Sequence, residues 1–298
     1  MNRPQTITQP VQQTPPPAGF LPPPALTRAF IDISVKKGTA GALNLLILGI
    51  LAGVFIGFAA HVATTVATGA WPGFFGLKKF FIGGVFSCGL MMVMIPGSEL
   101  WTGNNLMVVG LLEKRISFGQ MMRNWILVYG GNLIGSIFLA WMIAAMSGLH
   151  DGAVGGTALK IAYGKVASQP AGLSHNVAYF FRAICCNWMV CLAVMMAVAA
   201  KDIAGKVLAI FFPIMAFVTS GFEHAIANMY FIPAGIFAKN FDAAVKASGI
   251  APEKLAALNW SNMWTHNLIT VTLGNLVGGA ILCGVVYWWL YARGNKGN

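Results

Sequence analysis

The sequence predicts an all-α membrane protein of six transmembrane helices, arranged as two inverted three-helix repeats with the second and fifth helices broken. Three observations carry this: a composition too apolar for a water-facing surface, six apolar stretches of membrane length, and two polar interruptions that resemble each other. Of 298 residues, 57% are hydrophobic and 9% charged, and the mean hydropathy is +0.71. A soluble domain of this length covers itself with far more charge. A hydrocarbon core about 30 Å thick asks for about 20 apolar residues per helix, which the six stretches supply.

The elements follow in order. Residues 1–24 carry Pro15-Pro16-Pro17 and Pro22-Pro23-Pro24 in a Gln- and Thr-rich tract without the apolar core of a cleaved signal peptide, and read as a disordered tail. Residues 25–39 read as a proline-started amphipathic interfacial helix, with Phe30, Ile31 and Ile33 toward the interface and Arg28, Lys36 and Lys37 toward headgroups. A channel domain follows over residues 40–293, with passes at 40–68, 80–112, 119–146, 177–200, 205–238 and 262–291, then a short tail over 294–298. With both termini in the cytoplasm, eleven Lys and Arg lie on that side and eight elsewhere, in the sense of the positive-inside rule.

The formal charge of +11 points to a membrane surface and an anionic solute. Nucleic acid is not expected, because the basic residues form no face and are not interleaved with aromatics. Cys88, Cys185, Cys186, Cys191 and Cys283 all lie in apolar runs and read as packing residues. No metal site and no cofactor is expected.

The second and fifth passes are interrupted. One breaks at Pro96-Gly97-Ser98-Glu99-Leu100-Trp101-Thr102-Gly103-Asn104, the other at Thr219-Ser220-Gly221-Phe222-Glu223-His224-Ala225-Ile226-Ala227-Asn228. Irregular backbone and ionisable side chains survive at membrane depth only inside protein or along a water-filled path. Both breaks read Gly-x-Glu with Asn five residues after the Glu. Beyond each, the twelve residues from Asn124 and the twelve from Asn267 agree without gaps at seven positions. Three passes per copy is an odd number, so the second copy enters from the opposite side, the inverted plan that brings two broken helices to the midplane. The protomer is thus aquaporin-like, and the N-terminus of each second half-helix offers free N–H groups to an anion.

The residues around the breaks, Gly97-Ser-Glu-Leu-Trp-Thr-Gly-Asn and Ser220-Gly-Phe-Glu-His-Ala-Ile-Ala-Asn-Met, resemble the signatures of the formate/nitrite transporter family. Asn187-Trp-Met-Val-Cys-Leu-Ala resembles that family's fourth-helix motif. The resemblance spans about residues 26 to 293. It implies a homopentamer in a prokaryotic cytoplasmic membrane, each protomer passing formate, nitrite, hydrosulfide or a related small monovalent anion through its own pore, with no enzymatic activity. By motif position, His224 corresponds to the pore histidine and Thr102 to the loop threonine facing it. Leu90 and Phe217 correspond to one hydrophobic constriction, and Phe86 lies near the other. Trp101, standing where phenylalanine is common in the loop, is counted with the constriction residues. Asn187 and Asn228 match polar positions beside the pore, and Lys165, or Lys160, the vestibule lysine. The likeness of Phe231-Ile-Pro-Ala-Gly to formate-channel sequences favours formate.

From the residues themselves, Glu223-His224 in a break marks function. Glu99 and Glu223 read as structural, accepting hydrogen bonds from the broken-helix N–H groups. His61 and His266 read as hydrogen-bonded core histidines. A bare anion faces a Born cost of tens of kcal/mol in a dry constriction. Carrying a proton on an acid of pKa about 4 costs only about 4 kcal/mol at pH 7. His224 is therefore expected either to donate a proton or, as a cation, to offset the anion's charge, with Thr102 and loop N–H groups binding its oxygens. A different class, a redox subunit holding haem between His61, His224 and His266, is the alternative.

Overall fold

The computed structural model describes residues 19–167 and 174–294. Every regular element among them is helical. The Pro15-Pro17 tract, and the end of the C-terminal tail, lie outside the described residues. Helix α1 (Pro23–Thr39) starts at Pro22-Pro23-Pro24, where the missing N–H costs nothing. The spans are α2 (Ala42–Ala67), α3 (Phe75–Met94), α5 (Phe118–Met146), α7 (His175–Ala199), α8 (Ile203–Ser220) and α11 (Trp260–Tyr291). Between α3 and α5 the second half of the broken helix, α4, runs over 101–112 in three short pieces. Its counterpart after α8 is α9 (Ala225–Ala238). Helices α6 (Ala153–Ala167) and α10 (Asp242–Ser248) cap the end of the bundle opposite α1.

Starts are set by local chemistry. Ser117 and Gln120 form a reciprocal capping box at α5, Ser174 caps α7, and Asp202 accepts from Gly205 N–H at α8, each satisfying orphan amides. Packing follows the repeat. α2 lies along α5, and α7 lies along α11 in the same way. Gly135 meets the carbonyl of Ile50 and Gly278 that of Ile184 so closely that any Cβ would clash, the use small residues have between membrane helices.

α1 departs from the expectation. Phe30 is buried, and with Ile33, Ser34 and Lys37 it faces an internal cavity. The helix is less an interfacial float than one wall of a vestibule. The cysteines are free thiols, and Cys186, Cys191 and Cys283 are buried.

Candidate functional site

At each break the chain turns through a glycine with positive φ, 96° at Gly97 and 78° at Gly221, a conformation that costs a side-chain-bearing residue about 1 kcal/mol or more. The carboxylate two residues on is then gripped identically in both halves. Lys37 Nζ lies 2.7 and 2.8 Å from the Glu99 oxygens, and Lys165 Nζ 3.1 and 2.9 Å from those of Glu223. Asn104 donates to Glu99 and Asn228 to Glu223, each at 2.7 Å. Behind them Asn124 and Asn267 accept from these asparagines and donate to the carbonyls of Lys37 and Lys165. The helices holding the two lysines, α1 and α6, are therefore equivalent as well.

The glutamates do not accept from the broken-helix amides as expected. That role falls to Asn132 and Asn275. Asn132 Oδ1 takes the Trp101 N–H at 3.0 Å while its Nδ2 donates to the carbonyls of Gly49 and Glu99. Asn275 takes the Ala225 N–H at 2.9 Å and donates to those of Ala183 and Glu223. Each amide fills both its acceptor and donor capacity on backbone that a lipid-embedded break would leave unpaired. A seat for an anion on free N–H groups is correspondingly reduced, since the amides of Trp101, Ala225 and Ala227 are taken.

Two spaces share a wall inside the protomer. A vestibule of about 110 Å³ opens beside α1, walled by Lys37, Leu90, Ser98, Leu100 and Val194 among others. Leu90 and Leu100 also wall a second space of about 10 Å³, with Ile56, Phe86, Val190, Ile214, Phe217 and His224. That is room for about one water. On its far side Phe86 lies edge-on to Phe217, centroids 5.9 Å apart, and stacks on Phe231 at 6.4 Å. The Lys165 ammonium sits 5.4 Å from the Phe231 ring centre. The small chamber is thus bounded by Leu90 and Leu100 toward α1 and by Phe86 and Phe217 toward α6.

In the small chamber His224 Nε2 lies 2.9 Å from Thr102 Oγ1, and His224 Nδ1 accepts the Ala227 N–H at 3.1 Å. A backbone N–H only donates, so Nδ1 is unprotonated, and the neutral ring carries its proton on Nε2, donating to Thr102. Thr102 is held from behind by Asn187, whose Nδ2 reaches its carbonyl at 3.2 Å, Asn105 Oδ1 at 2.8 Å and Asn275 O at 2.7 Å. Making the imidazolium would put a proton on Nδ1 and break the Ala227 cap.

The structure brings His224, Thr102, Leu90, Phe86 and Phe217 together, but Phe217 partners Phe86 rather than Leu90. Trp101 is no constriction residue: its buried ring packs on Trp125 and Tyr129, because the loop residue before Thr102 points to the bundle. Asn187 and Asn228 stand behind the pathway, bonded to protein. Lys165 is paired with Glu223 and Lys160 is exposed. The histidines of the haem alternative are scattered: His224 is bound to Thr102, His61 lies by His150, and His266 is exposed, not core. Sequence reasoning missed Leu100, Asn132, Asn275 and the inward turn of Lys37. The repeat held the signal for all but Lys37, since Leu100 aligns with His224 and the two asparagines align with each other.

A family model described as formate/nitrite transporter matches residues 24–289. A probable formate transporter of Methanothermobacter thermautotrophicus is 40% identical over 295 residues, covering 93% of this chain and 99% of its own. The formate channel FocA of Escherichia coli strain K12 is 38% identical over 288 residues, covering 94% and 97%. Among solved structures, an FNT family ion channel superposes with TM-score 0.76 at 26% identity over 89% of this chain and 98% of that one. A pentameric formate channel with formate bound gives 0.73 at 37% identity over 84% and 97%. Matched over nearly its whole length by sequence and by fold, this membrane protein belongs to the formate/nitrite transporter family, a family of transporters and not of enzymes.

Proposed function

We propose that the protein is a channel for small monovalent weak-acid anions, formate first among them, which cross the dry centre as the neutral acid. The observation that carries this is His224, a hydrogen-bonding ring among the apolar side chains that line a chamber about one water in size, with Thr102 bonded to its Nε2. Such a chamber can hydrogen-bond a small neutral acid and gives a bare anion nothing to replace its hydration. The anion gathers at the vestibule lysines and takes a proton from water there, the acid passes, and the proton is released to water on the far side. His224 stays neutral. It polarises the Thr102 hydroxyl, which donates to the passing oxygen. Charge compensation by a cationic His224 is disfavoured because it forfeits the Ala227 bond.

Assembly as a homopentamer in a prokaryotic cytoplasmic membrane, with both termini cytoplasmic, belongs to the same reading. The solved pentameric formate channel and the positive-inside count support it. In proteoliposomes, flux of formate, nitrite, hydrosulfide and chloride is to be measured side by side as external pH falls. Formate should pass fastest, rise with acidity and far exceed chloride. Chloride flux equal to formate would end the neutral-acid reading, and a faster nitrite or hydrosulfide flux would reassign the substrate within the family.

A further inference from the structure

His61, near the far end of α2, and His150, in the turn between α5 and α6, form a pair that transport does not use. Their ring centres are 5.6 Å apart, with planes at 26°. His150 is buried and His61 partly exposed. His61 Nδ1 and both nitrogens of His150 are buried without a hydrogen-bond partner. Each orphaned polar atom costs about 1–3 kcal/mol, so three on two touching rings point to a missing ligand.

Its chemistry can be read from the rings. An imidazole with no protein partner on its nitrogens offers a lone pair, which suits a metal ion and not an anion. Two imidazoles each placing a nitrogen about 2.1 Å from one ion have ring centres about 5.3 Å apart at the tetrahedral angle and about 6.5 Å when opposed. The observed spacing falls between. Among the described residues no third His, Cys, Asp or Glu joins them, so water reaching the pair along the exposed side of His61 completes the coordination. The His150 carbonyl abuts Gly155, which Ala244 also crowds, so His150 is wedged against α6 and α10.

We propose that His61 and His150 bind one borderline divalent transition-metal ion, of the Zn²⁺ or Cu²⁺ class, that staples α2 to the cap formed by α6 and α10. Imidazole nitrogen is the donor these ions favour. The test is calorimetric titration of ZnCl₂ into the full chain in detergent at pH 7.5, after removal of any histidine tag. One saturable site per protomer and a raised melting temperature are expected, and both should vanish in His61→Gln and in His150→Gln. Should His150→Gln fail to fold, His61→Gln, at a partly exposed position, carries the test. No saturable binding overturns the proposal. So does a site of unchanged stoichiometry in His61→Gln, which would place the zinc elsewhere, for example at His175 and His266 on the surface. Bridging water alone between the rings of zinc-soaked protein overturns it too.

Discussion

The two halves of the molecule share one skeleton and differ in what they hang on it. In each half a glycine turn, a Lys–Glu pair, an Asn–Asn relay and a third asparagine seal a broken helix with matching partners. The departures from symmetry converge on one spot. Where the first half has Leu100 the second has His224. Where the second has Ile226 the first has Thr102. And where α2 has Gly53, α7 has Asn187, which grips the Thr102 carbonyl. Duplication supplied a frame that keeps backbone paired at membrane depth, and one donor from each copy now meets its counterpart across the axis. A perfectly symmetric ancestor of this frame would hold two leucines or two histidines there, and neither makes a mixed donor pair.

The frame can be broken first. Asn275→Leu strands the Ala225 N–H and the carbonyls of Ala183 and Glu223, at about 1–3 kcal/mol per group. Asn132→Leu does the equivalent in the first half. Both variants should lose most folded, assembled protein, measured by monodisperse yield and melting temperature in detergent. If the halves are structurally equivalent the losses match. A tolerated Asn132→Leu beside a lethal Asn275→Leu would show that only one break depends on its asparagine.

The chemistry is broken next, with the frame left whole. His224→Leu makes the second break resemble the first, and His224→Asn keeps a polar group of similar size without the titrating ring. Both should fold. His224→Leu should abolish most formate flux. His224→Asn should keep some formate flux and, because His224 stays neutral while the acid takes its proton from water, should keep the wild-type pH profile, with formate affected far more than chloride. A pH dependence lost in His224→Asn would show that His224 itself titrates during transport, and unchanged formate flux would leave His224 only its cap on Ala227.

Six spans, both breaks and the repeat were legible because apolar length and Gly-x-Glu spacing are local signals, fixed by hydrocarbon thickness and backbone sterics. The second span's helix begins at Phe75, five residues before the expected start, and takes Lys78 and Lys79 into the helix. The partners of Glu99 and Glu223 were not legible. A carboxylate beside a helix start suggests an N-cap, but here side chains from α1 and α6, remote in sequence, reach the carboxylates first. Trp101 was misread for the same reason: which face of a one-turn helix meets the pathway is settled by tertiary packing against Trp125 and Tyr129.

The two walls of the dry segment come next in size of effect. Leu90→Ala combined with Phe217→Ala opens the α1 side and the α6 side together. Because both side chains border existing space, the stability cost should sit at the low end of the about 2–5 kcal/mol seen for such truncations. Flux of acetate and lactate should rise relative to formate. Unaltered selectivity in a folded double variant would place these residues in the bundle core, not in the gate.

The smallest effect distinguishes the two vestibules. Each lysine is already paired with a glutamate, so neither pair alone presents net charge, and the surroundings decide. Lys79 lies close enough to Lys165, Glu223 and Arg182 to interact electrostatically with each, which adds positive charge beside the Lys165–Glu223 pair on the α6 side. On the α1 side Arg123 spends its guanidinium on the Ala40 carbonyl at a solvent-exposed site. The Lys165–Glu223 pair is also the less exposed, at 14% and 7% against 22% and 13% for Lys37–Glu99, so salt screens it less. Lys165→Met should therefore lower formate entry from the α6 side by a few-fold at low ionic strength, an effect of about 1 kcal/mol that largely persists in salt. Lys37→Met should do less from its own side. Equal losses from the two substitutions, with equal salt dependence, would mean that the vestibules collect anions as symmetrically as the frame is built, and that the asymmetry of this channel is confined to His224, Thr102 and Asn187.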